Sequence, residues 1–99
     1  MPRVRHVVLF RWKSDVTPQH VEAAEAALAE LPEKVTCIRS YRFGRNLGIN
    51  PATFDYAVIA EFDDVAGYLE YRDHPDHKEF IANYTADFVA ERAALQMEF

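Results

Sequence analysis

Cysteine, glycine and basic residues are all scarce in this chain of 99 residues, and each scarcity removes a class of answer. The single cysteine, Cys37, excludes an intrachain disulfide framework and fits a reducing compartment, so a cytoplasmic protein is expected. The three glycines, Gly44, Gly48 and Gly67, stand apart and cannot build a phosphate-cradling loop. Eleven Lys and Arg against sixteen Asp and Glu give a net charge of −5, which argues against nucleic acid as a partner. No run approaches the roughly 18 apolar residues of a membrane helix, so no membrane partner is expected. The apolar core of about four residues before Arg11 is too short for a secretion signal.

What the chain has in quantity is apolar and aromatic material, 49 % and 13 % of its residues. Ninety-nine residues make one domain, residues 1–99, and a core of that size does not readily hide so much apolar surface. Some of it is therefore expected to face a partner subunit or to line a pocket. Charge is also uneven: residues 1–50 carry eight Lys/Arg and five Asp/Glu, residues 51–99 three and eleven. Two such faces could meet across an interface, but the asymmetry reads first as ordinary solvated surface.

Hydrophobic periodicity orders the chain. RVRHVVLFRWK (Arg3–Lys13) alternates, with Val4, His6, Val8, Phe10 and Trp12 on one face of a strand. DVTPQHVEAAEAALAELPEK reads as a helix capped by Thr17, opened by Pro18 and stopped by Pro32, burying Val21, Ala24, Ala27, Leu28 and Leu31. VTCIRSYRFGRNL (Val35–Leu47) alternates again through Val35, Cys37, Tyr41 and Phe43, and Gly44 marks a bulge or bend. GINPAT is a hairpin-type connection to the strand Phe54–Phe62. A short helix follows, VAGYLEYR, capped by Asp63 or Asp64. Pro75 disfavours helical backbone at His74, so the helix breaks there and restarts as PDHKEFIANYTADFVAERA, before a last strand in ALQMEF. The order β-α-β-β-α-α-β predicts an α+β, ferredoxin-like domain with an antiparallel four-stranded sheet. Helices cover one face of such a sheet, and a second copy is the simplest cover for the other, giving a homodimeric α+β barrel.

The stretch YRDHPDHKEF (Tyr71–Phe80) concentrates the groups that can do chemistry. Asp73 or His74 caps the restarted helix and His77 falls near its third position, where the positive end of the helix dipole favours neutral imidazole. Tyr71 lies six residues earlier, across the break, and the two side chains can meet at one point: a phenolic donor and an imidazole that moves a proton on a carbonyl compound. A polar helix joint without chemistry is the competing reading. His6 sits mid-strand on an apolar stripe, either as a hydrogen-bonded core residue or as a substrate anchor. The local spacing of His74 and His77 does not supply the about four converging ligands of a zinc site, so no metal is expected. Cys37 reads as an inert buried thiol.

HVVLFRWK near the N-terminus, the strand AVIAEFDD, and YLEYRDHPDHKEF together resemble the stress-responsive A/B-barrel (Dabb) family over nearly the whole chain, the HPxH element being the most specific part. The resemblance implies a dimeric α+β barrel. It also implies kinship to plant-type polyketide cyclases of the olivetolic acid cyclase kind, which close a poly-β-keto thioester by aldol condensation without metal or organic cofactor. In those enzymes the His ending HPxH is the acid/base and a Tyr six residues earlier assists, which maps onto His77 and Tyr71; a first-strand His lining the pocket maps onto His6. The aromatic residues those cyclases carry on the first helix are absent here, where EAAEAALAE offers only Ala and Leu28. The resulting expectation is a small apolar pocket bounded by His6, Val8, Phe10, Leu28, Val58 and Phe80. In it His77 and Tyr71 act on a small carbonyl-bearing, polyketide-like or phenolic ligand. The alternatives are a non-catalytic binding or stress-response module of the same fold and a bare interaction scaffold.

Overall fold

The computed structural model describes residues 2–51 and 54–99. Its elements are β1 (Val4–Trp12), α1 (Pro18–Lys34), β2 (Ser40–Arg45), β3 (Tyr56–Phe62), α2 (Val65–Asp73), α3 (Pro75–Phe80) and β4 (Val89–Glu98). A π-helical turn, Ile81–Thr85, extends α3. The strands form one antiparallel sheet in the order β2-β3-β1-β4, the ferredoxin-like arrangement expected from the sequence.

Alternation in β1 and β3 creates the layers. Val4, His6, Val8 and Phe10 of β1 and Tyr56, Val58, Ala60 and Phe62 of β3 are buried beneath the helices, while the residues between them are half-exposed on the opposite face. Thr17 caps α1 by accepting the His20 backbone N–H at 3.1 Å, and Ala24, Leu28 and Leu31 face the core. Asp64 caps α2 by accepting the Gly67 N–H at 2.8 Å.

Five sequence expectations need correction. Pro32 does not stop α1, which runs to Lys34 with the Val35 N–H bonded to the Leu31 carbonyl at 2.8 Å. A proline in the last turn forfeits one hydrogen bond, and the burial of Leu31 and Val35 on either side holds that turn in place. The segment from Val35 to Arg39 is a turn, not strand: Val35 and Ile38 bury themselves under α1, and β2 starts only at Ser40. Gly44 makes no bulge and pairs in register with Ala57; the ladder irregularity falls instead at Arg11/Trp12. The restarted helix ends by Phe80 and its π-turn, whereas the segment from Val89 onward, which includes the helix-favouring run AERAA, pairs with β1 as a ten-residue strand. Tertiary pairing overrides local propensity there. Strand β3 begins at Tyr56 rather than Phe54, and Ala52 and Thr53 of the expected GINPAT connection lie outside the described residues.

The face of the sheet away from the helices carries Val7, Leu9, Ala57 and Ile59, continued on β4 by Leu95, which pairs with Val7, and Met97. Leu95 and Met97 are 56 % and 46 % exposed in the single chain. Part of the apolar surplus of the sequence therefore lies on this open face, while Leu47, Ile49, Val65, Leu69 and Ile81 are exposed outside the sheet.

Candidate active site

Pro75 sets the local geometry. It holds His74 in extended backbone, φ −64° and ψ 135°, so α2 cannot continue through it. His74 closes one helix and opens the next: its N–H donates to the Tyr71 carbonyl at 3.2 Å, and its Nδ1 accepts the Asp76 N–H at 3.1 Å. That makes His74 the cap and puts His77 at the third position of α3. The break folds α3 back along α2, and the rings of Tyr71 and His77 stack with centroids 4.0 Å apart and planes at 29°.

Both side chains border a cavity of about 460 Å³ between the helices and the sheet. Its volume lies within the roughly 300–1,000 Å³ of small-molecule sites. Val8, Phe10, Leu28, Val58 and Phe80 supply apolar wall, and His6 lies on the same wall. The structure thus brings His77, Tyr71, His6, Val8, Phe10, Leu28, Val58 and Phe80 around one space. His20 lies elsewhere, its Nε2 2.9 Å from the Tyr84 carbonyl oxygen and its ring stacked on Phe88.

Protonation follows from the partners. A carbonyl accepts, so the 3.3 Å contact from His77 Nδ1 to the Arg72 oxygen puts the hydrogen on Nδ1 and leaves the Nε2 lone pair free. Burial pulls the His77 pKa below its ordinary value, the charge of Arg92 adds to this, and backbone carbonyls of Arg72 and Tyr71 oppose it. Burial is the leading cause of the neutral imidazole. Tyr71 is 3 % exposed, and burial pushes its phenol up to about 12, against the opposing hydrogen bond with Tyr41, whose hydroxyl lies 3.0 Å away. Burial also holds Tyr41 far above the ordinary phenol range. Both phenols are therefore neutral hydroxyls, linked to one another.

His6 is also 3 % exposed, and its rings lie 5.0 Å from Tyr68 and 6.0 Å from Tyr71. Gln96, its register partner on β4, sits with Nε2 2.9 Å from His6 Nδ1; an amide nitrogen only donates, so the His6 hydrogen is on Nε2. Desolvation, followed by the charges of Arg92 and His77, lowers His6 to about 4. Cys37 is raised to about 11, chiefly by burial and then by Glu70, and stays a protonated thiol. Among the described residues no three His, Cys, Asp or Glu side chains gather as a metal site.

Sequence reasoning missed the part of the cavity border that lies between Ile81 and Glu91, and three residues that hold or charge its polar groups. Tyr41 lay on a recognised alternating stripe, but nothing local announced its hydroxyl partner thirty residues away. Arg92, which borders the cavity, and Gln96, which holds His6, belong to β4. Reading the segment before Ala94 as helix concealed the facing of Arg92.

Comparison with known proteins agrees with this architecture. A protein from Thermobifida fusca, described as a dimeric ferredoxin-like protein of unknown function, superposes with a TM-score of 0.91 and 39 % identity, over 99 % of this chain and 92 % of that one. The hydroxynitrile lyase of Passiflora edulis has the same fold, with a TM-score of 0.88 and 24 % identity over 99 % and 94 % of the two chains. Among curated proteins, the stress-response A/B barrel domain-containing protein HS1 of Arabidopsis thaliana is 29 % identical over 79 residues, covering 78 % of this chain and 72 % of that protein. The family described as Stress responsive A/B Barrel Domain (Dabb) matches residues 4–99, and this chain belongs to that family.

Proposed function

We propose that the chain is a homodimeric barrel enzyme in which His77 and Tyr71 move protons on a small carbonyl-bearing ligand, polyketide-like or phenolic. The observation that carries this reading is the stacked Tyr71–His77 pair on the wall of one cavity, with the Nε2 lone pair of His77 unengaged. In an aldol cyclisation His77 Nε2 takes a proton from the carbon beside a carbonyl, and the resulting enolate carbon attacks a second carbonyl carbon. The oxygen of that carbonyl becomes an alkoxide and takes the Tyr71 proton. The imidazolium then returns its proton to the phenolate, which closes the cycle without metal or organic cofactor. His6, Val8, Phe10, Leu28, Val58 and Phe80 hold the ligand, His6 by its Nε2–H and the rest by apolar contact.

The dimer is part of the proposal. A second copy covers the open sheet face at Leu95 and Met97, in keeping with the dimeric description of the Thermobifida fusca relative. The protonated lone thiol of Cys37 fits a reducing, cytoplasmic setting. Sedimentation is expected to give twice the chain mass of 11.4 kDa; a monomer at micromolar concentration rejects the dimer.

Turnover of poly-β-keto thioesters and phenolic acids by wild type, His77→Ala and Tyr71→Phe tests the chemistry. Loss of about 10²-fold or more in His77→Ala is expected for removal of a general base, and unchanged rates in both variants reject the assignment. A second reading, ligand binding without turnover, has its own support in the 3.3 Å contact of His77 with the Arg72 carbonyl, which ties the helix joint whether or not a proton is ever moved. Saturable binding with no turnover of any compound in the screen favours it.

A further inference from the structure

The polar groups of the cavity are nearly all neutral. His6, His77, Tyr41 and Tyr71 are held uncharged by burial, and Thr85 is uncharged by nature. Glu91 also borders the space, but its carboxylate is engaged 2.8 Å from Arg11 Nη2. Arg92 remains. It pairs in register with Phe10, two positions along the same face of β1 from Val8, and lies four residues before Gln96, so alternation on β4 turns Arg92 and Gln96 to the same side. Gln96 reaches His6 from that side and Arg92 borders the cavity. Among the described residues Arg92 has no ion-pair partner. Its charge is nonetheless felt by His6, His77 and Tyr71, in each case in the direction a nearby cation imposes.

We propose that Arg92 is a specificity residue that makes this cavity a site for organic carboxylates, the apolar body of the ligand lying against Phe10, Val58 and Phe80 and its carboxylate pairing with the guanidinium. This rests on the reading of the cavity as a ligand site and adds the charge of the ligand to it. Guanidinium suits the role because its planar fork meets a carboxylate with two parallel hydrogen bonds, and the exposed position of Arg92 lets the free protein keep the cation hydrated until the ligand arrives. A carboxylate there also offsets the positive charge that depresses the basicity of His77, so ligand anchoring and proton abstraction support each other.

The test is titration calorimetry at neutral pH with 3-phenylpropanoate and its methyl ester, on wild type, Arg92→Gln and Arg92→Lys. Wild type is expected to bind the carboxylate at least about tenfold more tightly than the ester. Arg92→Gln is expected to bind the two forms alike, with Arg92→Lys between. Equal affinity of wild type for both forms, or a carboxylate preference that survives in Arg92→Gln, overturns the assignment while leaving the cavity a ligand site. Failure of both compounds to bind any of the three proteins overturns the cavity reading itself, and the assignment with it.

Discussion

The two faces of the sheet are built from the same strands, and often from adjacent residues, yet they differ in every respect that matters to function. On the helix side, Val8, Phe10, Val58 and Phe62 are sealed beneath α1, α2 and α3, leaving one cavity into which neutral imidazoles and phenols project. On the other side, Val7, Leu9, Ala57 and Ile59 continue into exposed Leu95 and Met97, with the Arg5–Glu61 and Arg11–Glu91 ion pairs at its borders. One face is an interior that encloses a space; the other is an apolar surface that awaits cover. The period of two thus puts the cavity-lining residues and the open-face residues at alternate positions of each strand, so single substitutions can address one face without the other.

Substitution of Phe62, 1 % exposed, strikes the sealed face hardest. Phe62→Ala is expected to cost about 3–5 kcal/mol of folding stability in urea denaturation, through lost burial plus a cavity. Acid is next. The folded pKa of His6 lies at about 4, below its ordinary value of about 6.5, so the unfolded chain takes up a proton first as pH falls. The stability tied to neutral His6 is complete above about pH 7 and declines between about 6.5 and 4, by up to ~3 kcal/mol, with His77 adding in the same direction. Melting temperatures across that range check this, and His6→Gln is expected to flatten the decline.

A smaller effect follows from Tyr41→Phe, which leaves the shape of the cavity but removes the hydroxyl 3.0 Å from Tyr71. About 1 kcal/mol of stability should be lost. Turnover should fall less than in Tyr71→Phe if Tyr41 acts only through its 3.0 Å contact with the Tyr71 hydroxyl. On the open face, Leu95→Asp is expected to change folding of the single chain by no more than about 0.5 kcal/mol, yet to convert the sedimenting species to 11.4 kDa. A Leu95→Asp protein that unfolds outright, or one that stays dimeric, breaks the division between the faces.

Periodicity and punctuation made much of this legible beforehand. Alternation in β1 and β3 set both faces, and Pro75 with His74 located the helix break that brings Tyr71 and His77 together. Three kinds of information were not local. The end of α3 was hidden because AERAA favours helix until β1 claims it as a partner. The turn after α1 was hidden because Val35 and Cys37 continue the alternation of β2 while the backbone does something else. Long-range polar pairing, Tyr41 with Tyr71 and Gln96 with His6, leaves no spacing to read. The residues missed are therefore those whose meaning comes from a partner at a distance.

Proton abstraction by His77 is the centre of the account, and deuterium uptake measures it without knowledge of the physiological substrate. An aryl-substituted propanone is incubated with the protein in heavy water, and loss of the proton signal beside the carbonyl is followed by NMR. The account predicts wild-type uptake above the buffer background, background rates in His77→Ala, and an intermediate rate in Tyr71→Phe. Uptake by His77→Ala equal to an accelerated wild-type rate, or no acceleration by wild type at all, would contradict it.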